Sequence, residues 1–105
     1  MAATTIALFY FAECPNNEAA REIVERVADE AGAEIDLRLV EVGSAQDAER
    51  LRFLGSPSVR VNGRDIEPSA DGRRSYVFAC RVYRTELGVG GLPSERWVRA
   101  ALGVG

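Results

Sequence analysis

Histidine is absent from this sequence, and so is lysine. Without histidine there is no Cys–His or Ser–His catalysis, no imidazole metal site and no unperturbed side chain titrating near neutrality. Without lysine, all 13 cationic side chains are arginines. Arg21, Arg26, Arg50 and Arg52 fall on predicted solvent faces, a pattern of genome composition rather than of anion recognition. No basic stripe interleaved with aromatics occurs, so nucleic acid is not an expected partner. Cysteine is scarce: Cys14 and Cys80 stand far apart, too few for a disulfide-built secreted scaffold or a four-thiolate zinc site. No metal site is expected. Long apolar runs are missing too, and nothing approaches the ~20 residues needed to span a bilayer. Ile6–Ala12 is short, no positive charge precedes it and Glu13 follows it, so it does not read as an export signal. These absences predict a soluble, cytoplasmic protein with no membrane partner. Residues 1–105 are read as one domain, with no repeat, linker or low-complexity tract.

What is present is a regular alternation of elements. Thr4–Phe11 is dense in β-branched and aromatic residues and reads as a strand buried on both faces. Cys14-Pro15 punctuates it, with Pro15 suited to a first helical position. A helix is predicted over Asn17–Ala31, with Ala20, Ile23, Val24, Val27, Ala28 and Ala31 on one face and Gly32 as its stop. Ile35–Val42 is a second strand. Ser44 and Asp47 form a capping box for a shorter helix through Leu54, ended by Gly55. Val59–Val61 is a third strand and Asn62-Gly63 a turn. Arg64–Ser75 is expected to be a loop, with room for a short extension of the hairpin. Tyr76–Arg84 is expected as the fourth strand, with Phe78, Cys80 and Val82 on one face, although Tyr76, Ala79, Cys80 and Tyr83 also fit a helical spacing. A glycine-rich turn, Gly88–Gly91, precedes a last helix carrying Trp97, Val98, Ala101 and Leu102. The order is β-α-β-α-β-β-α, a central mixed four-stranded sheet with helices on both faces.

Three features of this order carry chemistry. Cys14 follows the first strand and opens the first helix, Pro57 opens the third strand, and Val89-Gly90-Gly91-Leu92 precedes the last helix. At these residues the chain resembles the thioredoxin superfamily. Cys14-Pro15-Asn16-Asn17 is similar to the C-P-x-C site with its last cysteine replaced by asparagine. Gly55-Ser56-Pro57-Ser58-Val59 resembles the G-T-P-T segment that carries a cis-proline, and Val89–Leu102 resembles the ending of thioredoxins. Val61-Asn62-Gly63-Arg64-Asp65-Ile66 is similar to a glutaredoxin strand and turn. The glutaredoxin G-G-x-D clamp has no counterpart, since Glu67-Pro68-Ser69-Ala70-Asp71 stands there. The set CPN, GSP-V-VNG, CR-YRTE-G and GLP also resembles small bacterial thioredoxin-like proteins sometimes labelled alkylmercury-lyase-like. The resemblance implies a thioredoxin fold, with Cys14 as nucleophile facing a cis-Pro57.

The cysteine's position has its own physical logic. A sulfur at a helix N-terminus faces unpaired N–H groups and the positive end of the dipole, the setting in which thiolates become reactive. Asn17 cannot resolve a mixed disulfide as a second cysteine would, but either hydrogen-bonds the Cys14 sulfur or caps the helix. The expected cycle is therefore monothiol exchange, with the mixed disulfide on Cys14 released by an external thiol. Pro15, Ser56 and Gly91 are expected to bind the substrate, the Ser56 backbone being free to pair with an extended chain. Tyr10, Phe11 and Tyr83 are candidates to line the surface around Cys14. Cys80 is a possible second thiol, but its strand position predicts that it faces the core. Arg81 and Arg84 are read as a solvated strand face. No cofactor is expected beyond glutathione or another small thiol as co-substrate; the partners are protein or small-molecule disulfides and thiols. The alternative is a peptide- or soft-metal-binding module without redox turnover. The oligomeric state is open between a monomer and a weak dimer.

Overall fold

The structure, a computed structural model, describes residues 3–70 and 72–103; Asp71, within the predicted Arg64–Ser75 loop, lies outside them. The elements run β1 (Thr4–Tyr10), α1 (Asn17–Glu30), β2 (Ile35–Glu41), α2 (Ala45–Leu51), β3 (Ser58–Val61), β4 (Arg64–Asp65), β5 (Tyr83–Thr85), β6 (Gly88–Gly90) and α3 (Glu95–Ala101). Four strands form a mixed sheet in the order β2-β1-β3-β4, and β5 pairs with β6 in a separate ribbon. β1 runs parallel to β2 and antiparallel to β3, with Leu8 opposite both Leu39 and Val59.

Alternation along β1 builds two cores. Ile6 and Leu8 turn to one face, where Ala20, Val24 and Val27 of α1 and Val98 of α3 pack against Val59 and Val61. Phe9 turns to the other and packs with Val42, Ala48 of α2 and Phe53. Burying a side chain such as Val24 or Phe53 contributes roughly 1.5–3 kcal/mol, so helices covering both faces hold the sheet in place. Arg26 and Arg99 reach across from one helix to the other, meeting Glu95 and Glu30, each at 2.7 Å. Exposed pairs of this kind contribute about 0–1 kcal/mol.

Local chemistry accounts for the helix ends. The Ser44 hydroxyl accepts the Asp47 N–H at 3.1 Å, and the Asp47 carboxylate accepts the Gly43 N–H at 3.2 Å. The α2 helix stops at Leu51, short of the expected Leu54, because Arg52 turns into the left-handed region with φ 56°. Arg60 then donates to the exposed carbonyls of Leu51 and Arg52 at 2.9 and 2.8 Å, its guanidinium lying 4.1 Å from the Phe9 ring centroid. A cation is well placed at the negative end of a helix.

The fourth strand is not the expected one. Asn62-Gly63 turns the chain directly back, so the short β4, Arg64–Asp65, takes the sheet edge that Tyr76–Arg84 was expected to fill. Residues 76–82 run instead as an irregular strap, and only Tyr83–Thr85 is a strand, paired with Gly88–Gly90 of the predicted turn. Among the described residues, no helix is long and apolar enough to cross a membrane.

Candidate functional site

Because β1 is antiparallel to β3 with Phe9 opposite Ser58, the residues after β1 and those before β3 share one end of the sheet. This places the Cys14 turn beside the Ser56-Pro57 segment. The Phe11 N–H donates to Ser56 Oγ at 3.4 Å, and the Cys14 N–H donates to the Phe11 carbonyl at 3.0 Å. The Ser56–Pro57 peptide is cis.

Cys14 does not open the helix. The helix begins at Asn17, so Cys14 sits three residues upstream in a turn and is only 5% exposed. Pro15 is exposed in the same turn, ahead of the N-cap rather than at the first helical position. Asn16 is the N-cap residue but makes no side-chain cap. Its amide is packed so closely against Gly91 that a Cβ there would clash with the Asn16 Nδ2. Gly91 thus joins the α3 approach to the Cys14 turn through Asn16. Asn17 makes neither expected contact: it is the first helical residue and lines a small pocket with Tyr10, Arg21 and Leu39. Among the described residues, no hydrogen bond links it to the Cys14 sulfur.

The Ser56 backbone is not free. Its N–H donates to the Ala79 carbonyl and its carbonyl accepts the Arg81 N–H, both at 2.9 Å, forming a parallel bridge between Ser56 and Cys80. The chain's own strap fills the edge expected to receive a substrate. The Val77 N–H donates to the Phe53 carbonyl at 2.9 Å, and the rings of Phe78 and Phe11 meet with centroids 5.3 Å apart.

The strap does not bury the residues expected: Val77 and Ala79 are exposed along with them. Phe78, Cys80 and Val82 are exposed, whereas Arg81 and Tyr83 are buried. The reason is electrostatic. Arg81 donates to both carboxylate oxygens of Asp65 at 2.7 and 3.1 Å, to Glu67 at 2.8 Å and to Ser58 Oγ at 2.9 Å. Its guanidinium also lies 4.4 Å from the Tyr83 ring centroid. Such pairing is what allows an arginine to be buried. Burial alone would lower the Arg81 pKa, but the hydrogen bonds it donates to Asp65 and Glu67, with the nearby negative charge, outweigh that and raise it. Burial likewise acts to raise the Glu67 carboxyl, and the Arg81 and Ser69 hydrogen bonds bring it below its ordinary value. Burial pushes the Tyr83 phenol up, keeping it a neutral donor; it hydrogen-bonds the Pro57 carbonyl at 2.5 Å. Tyr83 is therefore part of the scaffold behind Pro57 and not a lining of the surface near Cys14. Gly55 completes the clamp, since its φ is +116° and a Cβ would fall 2.8 Å from the Arg81 Cβ.

Sequence reasoning missed Arg81, Asp65, Glu67 and Tyr83 as residues that shape this corner. The signal available was one cation two residues before a tyrosine and two carboxylates just after a predicted turn. Beside the corner, a groove of about 570 Å³ runs between the β5–β6 ribbon and Asn16, with Glu86, Gly91 and Ser94 on its walls. The Ser94 hydroxyl donates to the Glu86 carboxylate at 2.7 Å, which holds that carboxyl below its ordinary value. Among the described residues, no group of three or more cysteine, aspartate or glutamate side chains is placed to hold a metal. No family model, curated protein or solved structure matches the chain.

Proposed function

We propose that the chain is a thioredoxin-like domain that performs thiol–disulfide exchange in a reducing compartment, with Cys14 as nucleophile and the Ser56-Pro57 segment as its facing wall. The observation that carries this reading is the Phe11–Ser56 hydrogen bond, which ties the cysteine turn to the proline segment at one end of the sheet. Two βα units supply the parallel pair and a hairpin supplies the antiparallel strands, in keeping with that fold. In the reaction, a Cys14 thiolate attacks a disulfide sulfur and releases one thiolate, and a small thiol such as glutathione later frees Cys14. Asn17 is not assigned a role in this step.

A second reading, a redox-inert binding module, is favoured by one fact: Cys14 is buried. Pairing of an extended peptide with Ser56 is not part of it, because Ala79 and Arg81 hold both backbone groups. The Cys80→Ser variant separates the two readings, since Cys14 is then the only thiol. Incubated folded with oxidised glutathione, it is expected to gain one glutathione on Cys14, reversed by reduced thiol. Modification only in denaturant would favour the inert module.

A further inference from the structure

The protein's other thiol lies on the strap that covers the Ser56 edge. Partners across a β-bridge carry their side chains to the same side of the ribbon. Ser56 sends its Oγ toward the Phe11 N–H, so Cys80, bridged to Ser56, leaves on the side of the Cys14 turn. Phe78, two residues before Cys80, brings its ring to Phe11, whose carbonyl accepts the Cys14 N–H. Arg81, next to Cys80, enters the interior. The Ser56 bridge and the Phe11–Phe78 contact both set this part of the strap against the Cys14 turn. Both thiols are free, Cys80 exposed and Cys14 buried.

We infer that Cys80 is the second thiol of the Cys14 site: it accepts an incoming disulfide at the surface and presents its sulfur to Cys14, which closes an internal Cys14–Cys80 disulfide. This rests on the thiol-exchange reading but gives the first attack to Cys80 on the strap and makes Cys14 the resolving thiol in place of an external one. A Cys80 thiolate attacks one sulfur of a low-molecular-weight disulfide; that S–S bond breaks and one thiolate leaves. The Cys14 thiolate then attacks the Cys80 sulfur and expels the second thiolate. Two protein thiols are oxidised to one disulfide, the external disulfide is reduced to two thiols, and the protons of Cys80 and Cys14 pass through solvent to the leaving groups.

The test exposes the full chain to oxidised glutathione without oxygen, traps remaining thiols by alkylation and reads intact mass and peptide map. The native protein is expected to lose two hydrogens and keep no adduct. The Cys14→Ser and Cys14→Ala variants are expected to hold a stable glutathione on Cys80, and Cys80→Ser to be modified at Cys14 more slowly than the native chain is oxidised. A native protein that keeps a stable glutathione on Cys80 overturns the pairing. If Cys80→Ser still takes an adduct on Cys14 in that case, exchange at Cys14 stands alone; if it does not, both readings fall. A native chain that loses two hydrogens while Cys80→Ser stays unmodified supports the pairing and overturns exchange by Cys14 alone.

Discussion

Arg81 is the residue on which the arrangement of this corner turns. Its side chain is fully shielded, and its forked donors join Asp65, Glu67 and Ser58 from three places in the chain. Removing it leaves two carboxylates facing a cavity. Arg81→Met is therefore expected to cost about 3–5 kcal/mol in urea unfolding, the range for breaking one side of a buried ion pair. Arg81→Lys keeps the charge but loses the two-pronged contact with Asp65, so a smaller loss is expected. Tyr83→Phe, which leaves the buried Pro57 carbonyl without its donor, is expected to cost about 1–3 kcal/mol. Glu67 gives the clamp its pH dependence. Its carboxyl titrates lower folded than unfolded, so its contribution is fully present above the unfolded value of about 4.3 and is lost as pH falls through the folded value. Stability should decline in that acid window, and Glu67→Gln should flatten the decline. A native-like acid limb in Glu67→Gln would contradict the assignment. None of this was legible from Arg81 alone, because its partners lie 14 and 16 residues back in the chain.

Among the elements, legibility followed how local the determining forces are. The α1 helix is marked by Ala20, Val24, Val27 and Ala28 on one face and follows directly from that spacing. The start of α2 was likewise readable in Ser44 and Asp47, whose capping bonds all lie between Gly43 and Asp47. Ser44→Ala is expected to lower stability by about 1 kcal/mol in thermal unfolding, without changing the reactivity of either thiol. The strap was misread for a definite reason. Alternation along Tyr76–Arg84 predicts a paired strand, but the segment is bridged to Ser56 at Cys80 instead, which leaves Val77–Cys80 exposed and turns Arg81 and Tyr83 inward. Hydrophobicity argued for burying Phe78, Cys80 and Val82, whereas the carboxylates on and after β4 drew Arg81 inward instead. The end of α2 departs from expectation on a similar ground, since Arg60 satisfies its last carbonyls from a neighbouring strand.

For the molecule as a whole, the two cores fix β1, and β1 fixes where the Cys14 turn and the Ser56-Pro57 segment meet. That much of the candidate site was readable in the order of cysteine, proline and glycine along the chain. The covering of the Ser56 edge by the chain's own strap was not, because it depends on a long-range bridge with no sequence mark of its own. The most direct measurement of this account is amide hydrogen exchange at Ser56 and Arg81, the two N–H groups that close the bridge. Both are predicted to be protected to a level approaching that of the β1 amides, as groups that open only with the corner itself. Exchange of either at the rate of an unstructured peptide, with β1 still protected, would mean that the edge stands open.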